Sequence, residues 1–185
     1  MSARPFPWEK SYPAGLSWDM PVAISTLPAL LRDAVSQYGP RPALEFRGRT
    51  ITYRDLQHGA AIAAGAFLRA GFGRGSAIAL YLPNTPYHPL CFFGGSMAGA
   101  RLVHLSPLDA ERELAHKLRD SGARVLVTTN IGGMSERAEK LLEAGLVDLV
   151  VVGDDADWGP SPVPPSPIAR RPGIVSFADF TQGVE

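Results

Sequence analysis

The sequence predicts an α/β fold, a parallel sheet with helices on both faces. Two observations carry this. Strand-length apolar runs at Ser76–Leu82, Leu102–Leu105, Arg124–Thr129 and Asp148–Val152 alternate with segments of helical period, which is the pattern of a parallel sheet with crossover helices. The prolines also mark out a body. Of 17, seven lie before Ala43, six between Pro160 and Pro172, and only four between Ala43 and Gly159. The expected organisation is therefore an extended arm over residues 1–25, an α/β body over 26–153, a proline-rich linker over 154–173, and the start of a further segment at 174–185.

Thr26-Leu27-Pro28 opens the first helix with a capping hydroxyl and an early proline. Leu27, Leu30, Leu31, Ala34, Val35 and Tyr38 follow the 3.6-residue period, and Gly39-Pro40 ends it. Ala43–Phe46 and Arg49–Thr52 read as a hairpin turning at Arg47-Gly48. Thr52, with Asp55 three residues on, starts a second helix whose stripe is Leu56, Ala60, Ala63, Ala64, Phe67 and Leu68. So many alanines allow a close approach, and Gly71 terminates the helix. Ser76–Leu82 is apolar without a break, as in a strand covered on both faces. An apolar helix over Pro86–Ala100 follows, with Gly94, Gly95 and Gly99 inside it. Because it is apolar all round, it needs cover beyond one sheet. Asp109 is the expected cap of the next helix, anchored by Leu114 and Leu118, with Glu113 and Lys117 paired across a turn. Gly122 ends it. Ser135–Ala144 is the next helix, and Ser176 caps a short last one over Phe177–Gln182.

Composition excludes several function classes. Hydrophobic residues are 45% of the chain, too many for a disordered one. Lys+Arg and Asp+Glu number 18 each, so no basic surplus points to nucleic acid. Cys91 is the only cysteine, so an internal disulfide is impossible and a reducing compartment is favoured. The stretch Gly75–Ala100 lacks Asp, Glu, Lys and Arg, but Pro83, Asn84, Pro86, His88 and Pro89 interrupt it. A strand, a turn and a buried helix explain it better than a membrane span. The N-terminus has no apolar core of a secretory signal.

Motifs that imitate chemistry have plainer readings. Gly71-Phe72-Gly73-Arg74-Gly75 follows a helix and opens a strand, the reverse of a dinucleotide fingerprint. Gly132-Gly133 has the strand–glycine–helix context of an anion cradle but no adjacent lysine, so an ordinary turn is the better reading. Gly94-Gly95-Ser96-Met97-Ala98 is one residue from a nucleophile elbow. Read as a serine hydrolase, it would use Ser96 with His104 or His116, yet the prolines and small residues suit a packed helix. His58, His88, His104 and His116 show no i,i+4 pairing and no metal motif. His88 and His104 lie in apolar stretches, where a hydrogen-bonded structural role is expected, and no metal site is expected.

One ordered set of motifs does carry a functional expectation. R-P-A-L-E-F, R-T-I-T-Y-R-D-L, G-R-G-S-A-I-A-L-Y-L-P-N, M-A-G-A-R-L-V-H-L-S-P-L and R-E-L-A-H-K-L-R-D-S-G-A-R-V-L-V occur in sequence from Arg41 to Thr129. In that order they resemble the start of the adenylate-forming acyl-CoA synthetases, most closely the bacterial long-chain fatty acid–CoA ligases. W-E-K-S-Y-P-A-G in the arm resembles their lead segment. The resemblance covers roughly Trp8 to Val152. It implies the N-terminal subdomain of an acyl-CoA synthetase-like fold, in a parent that uses ATP, Mg2+ and CoA to turn a fatty acid into its thioester.

The family's Pro-Lys-ended phosphate loop, its adenylate motif and its C-terminal lysine have no match in residues 1–185. The chain alone is therefore expected to be inactive, with no catalytic residue and no bound cofactor. Its expected partners are the rest of the parent synthetase and, for the parent, the fatty acid; the expected location is cytoplasmic, peripheral to the membrane at most.

The sequence departs from the family pattern at His104-Leu105-Ser106-Pro107 and at Gly75-Ser76. Leu108 stands where some relatives place a basic residue for the CoA nucleotide, and Arg112, one helical turn on, is the candidate substitute. A stand-alone binding module of the same fold is the rival reading. Exposed apolar surface on the Pro86–Ala100 helix leads to an expectation that the chain self-associates into a homo-oligomer or recruits its own proline-rich arm, with Phe6, Trp8, Tyr12 and Trp18 as anchors.

Overall fold

The computed structural model describes residues 6–21 and 25–184. The parts of the expected arm at 1–5 and 22–24, and residue 185, lie outside the described residues. A helix α1 (Leu27–Tyr38) leads into a hairpin of β1 (Pro42–Phe46) and β2 (Arg49–Thr52), then α2 (Tyr53–Arg69). Next come β3 (Ala77–Tyr81), α3 (Tyr87–Met97), β4 (Arg101–Leu105), α4 (Glu111–Ser121) and β5 (Val125–Thr129). The chain continues through α5 (Met134–Glu143), β6 (Leu149–Gly153), β7 (Ile174–Ser176) and α6 (Phe177–Thr181).

The five strands β3 to β7 form one parallel sheet in the order β4-β3-β5-β6-β7. The four strands expected from their apolar runs are all in it. The fifth, β7, pairs Val150 with Ile174 and Val152 with Ser176. Residues 174–184, expected to begin a next segment, thus add a strand and a short helix to this same sheet. Phe180 of α6 is buried against the Phe67 ring of α2 at 5.3 Å.

Residues 154–173, expected as a linker, run along α5. The Ser166 amide donates to the Asn130 carbonyl, just past β5, at 2.7 Å, while its hydroxyl donates to the Glu136 carboxylate at 2.6 Å. Arg171 pairs with Glu143 at 2.7 Å and Glu139 at 3.2 Å.

Alternation along the strands divides the core in two. Ile78, Leu80, Val125, Val127 and Val151 face α2, α3 and α6, meeting Ala63, Phe67, Cys91 and Phe180. Ala77, Ala79, Tyr81, Leu126, Val150 and Val152 face α4 and α5, meeting Leu114, Leu118, Ala138 and Leu141. Helices therefore cover both faces. A third, smaller cluster sets Leu31 of α1 against Leu56, Ala60 and Leu90.

The apolar helix α3 receives the second cover it needs from α2. A Cβ at Gly94 would lie 2.8 Å from the Ala63 Cβ and 2.9 Å from the Ala60 carbonyl oxygen; one at Gly95 would lie 2.8 Å from Leu102. Glycine thus lets α3 touch α2 on one side and the sheet on the other. The cover needed beyond one sheet is thus supplied within the chain. The arm's aromatics gather among themselves: Phe6 stacks on Trp8 at 4.7 Å, and both meet Trp18 edge-on at 5.6 Å. Trp8 and Trp18 stay exposed.

Helix ends follow the sequence with one correction. The Thr26 hydroxyl accepts the Ala29 amide, and Thr52 and Asp55 form a full capping box. The hairpin turns through Arg47 and Gly48 at φ 49° and 74°, the left-handed pair that a two-residue turn requires. Asp109, however, is not the cap of α4. Ala110 is, and the Glu113 carboxylate reaches back to accept its amide at 3.2 Å. With Glu113 occupied, Lys117 pairs with Asp109 at 2.6 Å rather than with Glu113. An unpaired amide at a helix start competes well for a nearby carboxylate.

Candidate functional site

In an open parallel sheet the C-terminal strand ends gather loops from different elements, and a crevice forms where the strand order reverses. Here β3 has β4 on one side and β5 on the other, with α3 and α4 on opposite faces. The loops after β3, β5 and β6 therefore converge at that edge.

A buried polar network closes it on the β5–β6 side. The Asn130 side chain accepts the Asp155 amide at 2.9 Å and donates to the Asp154 carboxylate at 3.1 Å and to the Ser166 carbonyl at 2.9 Å. The Asp155 carboxylate is fully buried and pairs with the Arg47 guanidinium at 2.7 Å. That bond anchors the β1–β2 hairpin to the end of β6. Tyr87, at the start of α3, donates its hydroxyl to Asp157 at 2.6 Å and to the Asp154 carbonyl at 3.0 Å. Burial, then the Asp157 bond, pushes the Tyr87 phenol far above its usual range, so it stays protonated. Its ring lies against Trp158 and Phe177, and against Gly153, where a Cβ would come within 2.5 Å of it.

On the β3–β4 side the edge is open. A pocket of about 200 Å³ is bounded by Leu44, Phe46, Thr85, Pro86, His88 and Pro89, with Glu45 and Asn84 at its rim. Its wall is mostly apolar, because the hairpin presents Leu44 and Phe46 towards the first turn of α3. A second concavity lies on the outer face of α4, lined by Arg112, Glu113, His116, Lys117 and Arg119. Arg112 is exposed there. Glu113 is held by the Ala110 amide and Lys117 by Asp109, so Arg112, His116 and Arg119 are the groups left to meet an anion. The Lys117 ammonium holds the Asp109 carboxyl below the ordinary value.

The motifs set aside in the sequence fall as follows. Gly71–Gly75 is the turn between α2 and β3. Ser96 lies in the last turn of α3, and its hydroxyl donates to the Phe92 carbonyl at 2.8 Å, so it is not at a strand-to-helix elbow. Burial raises the Cys91 thiol and keeps it unreactive. Gly132 and Gly133 are left-handed at φ 59° and 71° ahead of α5. The Glu136 carboxylate stands 4.0 Å from where a Gly133 Cβ would be, and the Ser166 hydroxyl bond lowers its pKa. A fixed negative charge at that turn opposes phosphate. His58 and His116 are exposed, while His88 and His104 bond each other at 3.1 Å.

Two groupings were not visible in sequence. Arg47 and Asp155 are separated by 108 residues, and His88 and His104 by 16. The only local sign of the first was the acidic run Asp154–Asp157 directly after a strand.

Comparison with known proteins gives a consistent result. Residues 31–169 match the family described as AMP-binding enzyme. The chain is 29% identical over 157 residues to a long-chain-fatty-acid–CoA ligase of Bacillus subtilis, covering 84% of this chain and 28% of that protein. It is 32% identical over 148 residues to the enzyme of the same name from Salmonella typhimurium, covering 78% and 26%. Among solved structures, a benzoate CoA ligase from Burkholderia xenovorans superposes with a TM-score of 0.69 at 19% identity, over 87% of this chain and 29% of that one, which bears on the fold alone. The chain thus spans about a quarter of the length of the curated relatives it matches. Among the described residues no helix is long and apolar enough to cross a membrane.

Proposed function

Because the chain belongs to the AMP-binding enzyme family, we propose that it serves as the N-terminal α/β subdomain of an AMP-forming long-chain acyl-CoA ligase. The carrying observation is the identity of 29–32% to long-chain-fatty-acid–CoA ligases over most of the chain. The reaction of such a ligase has two stages. A fatty carboxylate attacks the α-phosphate of ATP, giving acyl-AMP and pyrophosphate; the CoA thiolate then attacks the acyl carbon and AMP leaves. Mg2+, in such enzymes, neutralises the triphosphate.

These residues do not fit the nucleotide triphosphate. The one glycine turn with a strand–helix context carries the Glu136 carboxylate and no lysine. Among the described residues no group of three His, Cys, Asp or Glu could hold a metal ion. No step of adenylation is therefore assigned to this chain. Its role is to build walls. The hairpin and the start of α3 offer an apolar surface beside the sheet edge, and the outer face of α4 offers cationic groups. Arg112 is the candidate contact for the phosphates of the CoA nucleotide, in place of Leu108. The rest of the synthetase is the partner, and the cytoplasm, at most peripheral to a membrane, is the location. The exposed arm aromatics remain the anchors for self-association.

Two measurements test this reading. Purified chain mixed with ATP, Mg2+, CoA and palmitate should release no pyrophosphate above background; stoichiometric acyl-AMP would overturn it. Added to a long-chain ligase that lacks its own matching N-terminal segment, the chain should restore thioester formation. If it folds but restores nothing, while binding a fatty acid by calorimetry, the stand-alone binding module takes over. The pocket of about 200 Å³ is the observation in that module's favour.

A further inference from the structure

His88 sits in the first turn of α3, and His104 is the next-to-last residue of β4. Because β4 lies parallel beside β3 and α3 joins them, the two imidazoles arrive on the same side of the sheet edge. Nε2 of His88 and Nδ1 of His104 face each other at 3.1 Å. The rings are 5.0 Å apart and inclined at 38°. Phe92, one turn further along α3, stacks on His88 at 8° and flanks His104 at 5.5 Å, so both rings are braced.

In a neutral pair one facing nitrogen carries the proton and the other accepts it. Without that proton, both facing nitrogens offer a lone pair across the 3.1 Å gap. Zn–N bonds are about 2.0–2.1 Å, so two of them at a tetrahedral angle place their nitrogens roughly 3.3 Å apart. The observed spacing is within a few tenths of an ångström of that bite. We propose that His88 and His104 form a two-imidazole chelate for a divalent transition-metal ion of the Zn2+, Cu2+ or Ni2+ class.

Imidazole nitrogen suits these ions, whereas Mg2+ and Ca2+ require oxygen. No third protein ligand completes the set among the described residues. The remaining coordination positions belong to water or a small external ligand, as in open metal sites. His104 is exposed and admits the ion. His88 also lines the apolar pocket, and His104 lines a separate concavity with Phe92 and Leu102. The site uses a metal that the proposed ligase reaction does not, so it stands or falls separately from that reading.

The purified chain is titrated with Zn2+ in competition with a chromophoric zinc indicator. One equivalent should bind, and the thermal midpoint should rise with zinc. Loss of an outer-shell partner alone costs about 10–100-fold in metal affinity, so H88N and H104N should each weaken binding by at least ~10-fold. H58N, at an exposed histidine on α2, should leave it unchanged. Nitrogen NMR of the wild-type rings gives an arm independent of variant folding: the His88 Nε2 and His104 Nδ1 signals should move together. Absence of saturable binding, binding that survives both H88N and H104N, loss in only one of them, or movement of other rings instead would each overturn the chelate.

Discussion

On one face of the sheet, α2 and α3 meet through Ala60, Ala63 and Gly94. On the other, α4 and α5 reach the strands with Leu114, Leu118 and Leu141. The first face has two layers of helix, because α3 is apolar on all sides and must be covered by both the sheet and α2. The second has one layer, and its outer surface is charged, with Lys117–Asp109 and Arg171–Glu143 pairs at 2.6 and 2.7 Å. The stacked face depends on atoms that are missing, the exposed one on atoms that are present. Substitutions that add volume should damage the first, and substitutions that remove it should damage the second.

The largest effect is expected where neither face is involved. Arg47→Ala leaves the fully buried Asp155 carboxylate without its cation. Breaking one partner of a buried pair costs about 3–5 kcal/mol. The loss is read as a lower urea midpoint with detachment of the hairpin. An unchanged midpoint would show that the hairpin is held by packing alone.

Leu114→Ala should follow, at about 2–5 kcal/mol from lost burial and the cavity left behind. Gly94→Ala comes next. One added methyl group meets Ala63 and the Ala60 carbonyl at under 3.0 Å, and overpacking of that kind costs about 1–3 kcal/mol. A Gly94→Ala protein as stable as wild type would break the distinction between the faces, because it would show slack between α2 and α3.

The smallest effect belongs to the cap that starts α2. Thr52→Ala removes the acceptor for the Asp55 amide and should cost about 1 kcal/mol. The same box gives a pH signature. Bonds from the Thr52 hydroxyl, then from its amide, lower the Asp55 pKa. A depressed carboxyl stabilises fully above its unfolded value, and that contribution is lost as pH falls through the folded value. Stability of the wild type should therefore decline on the acid side more than that of Thr52→Ala, measured by urea midpoints between neutral and acid pH.

Strands β3, β5 and β6 were legible because each is a continuous run of apolar, β-rich residues buried on both faces. The alanine stripe of α2 and the glycines of α3 were legible as signs of close approach, but not which surface would be approached. β7 escaped notice: Ile174-Val175-Ser176 is only three residues, sits beside a proline-rich stretch, and owes its pairing to β6. The role of Glu113 was misjudged because an i,i+4 rule weighs side-chain charges against each other and omits the bare Ala110 amide. Arg112, on the outer face of α4, is a candidate from the family pattern alone. The joining of Arg47 with Asp155 and of His88 with His104 depends on strand order, which no local pattern encodes.

The Arg47–Asp155 bond also has a meaning in time. At roughly 5–20 residues per second of synthesis, the 108 residues between the partners take roughly 5–20 s to appear. Over that interval the hairpin packs only on elements made before β6: Ala43, Leu44 and Ile51 lie against the cluster of Leu31, Leu56, Ala60 and Leu90. The Arg47 guanidinium alone waits until the end of β6 emerges and brings its carboxylate. The hairpin thus gains its apolar contacts before its buried ion pair, which forms only when Asp155 arrives.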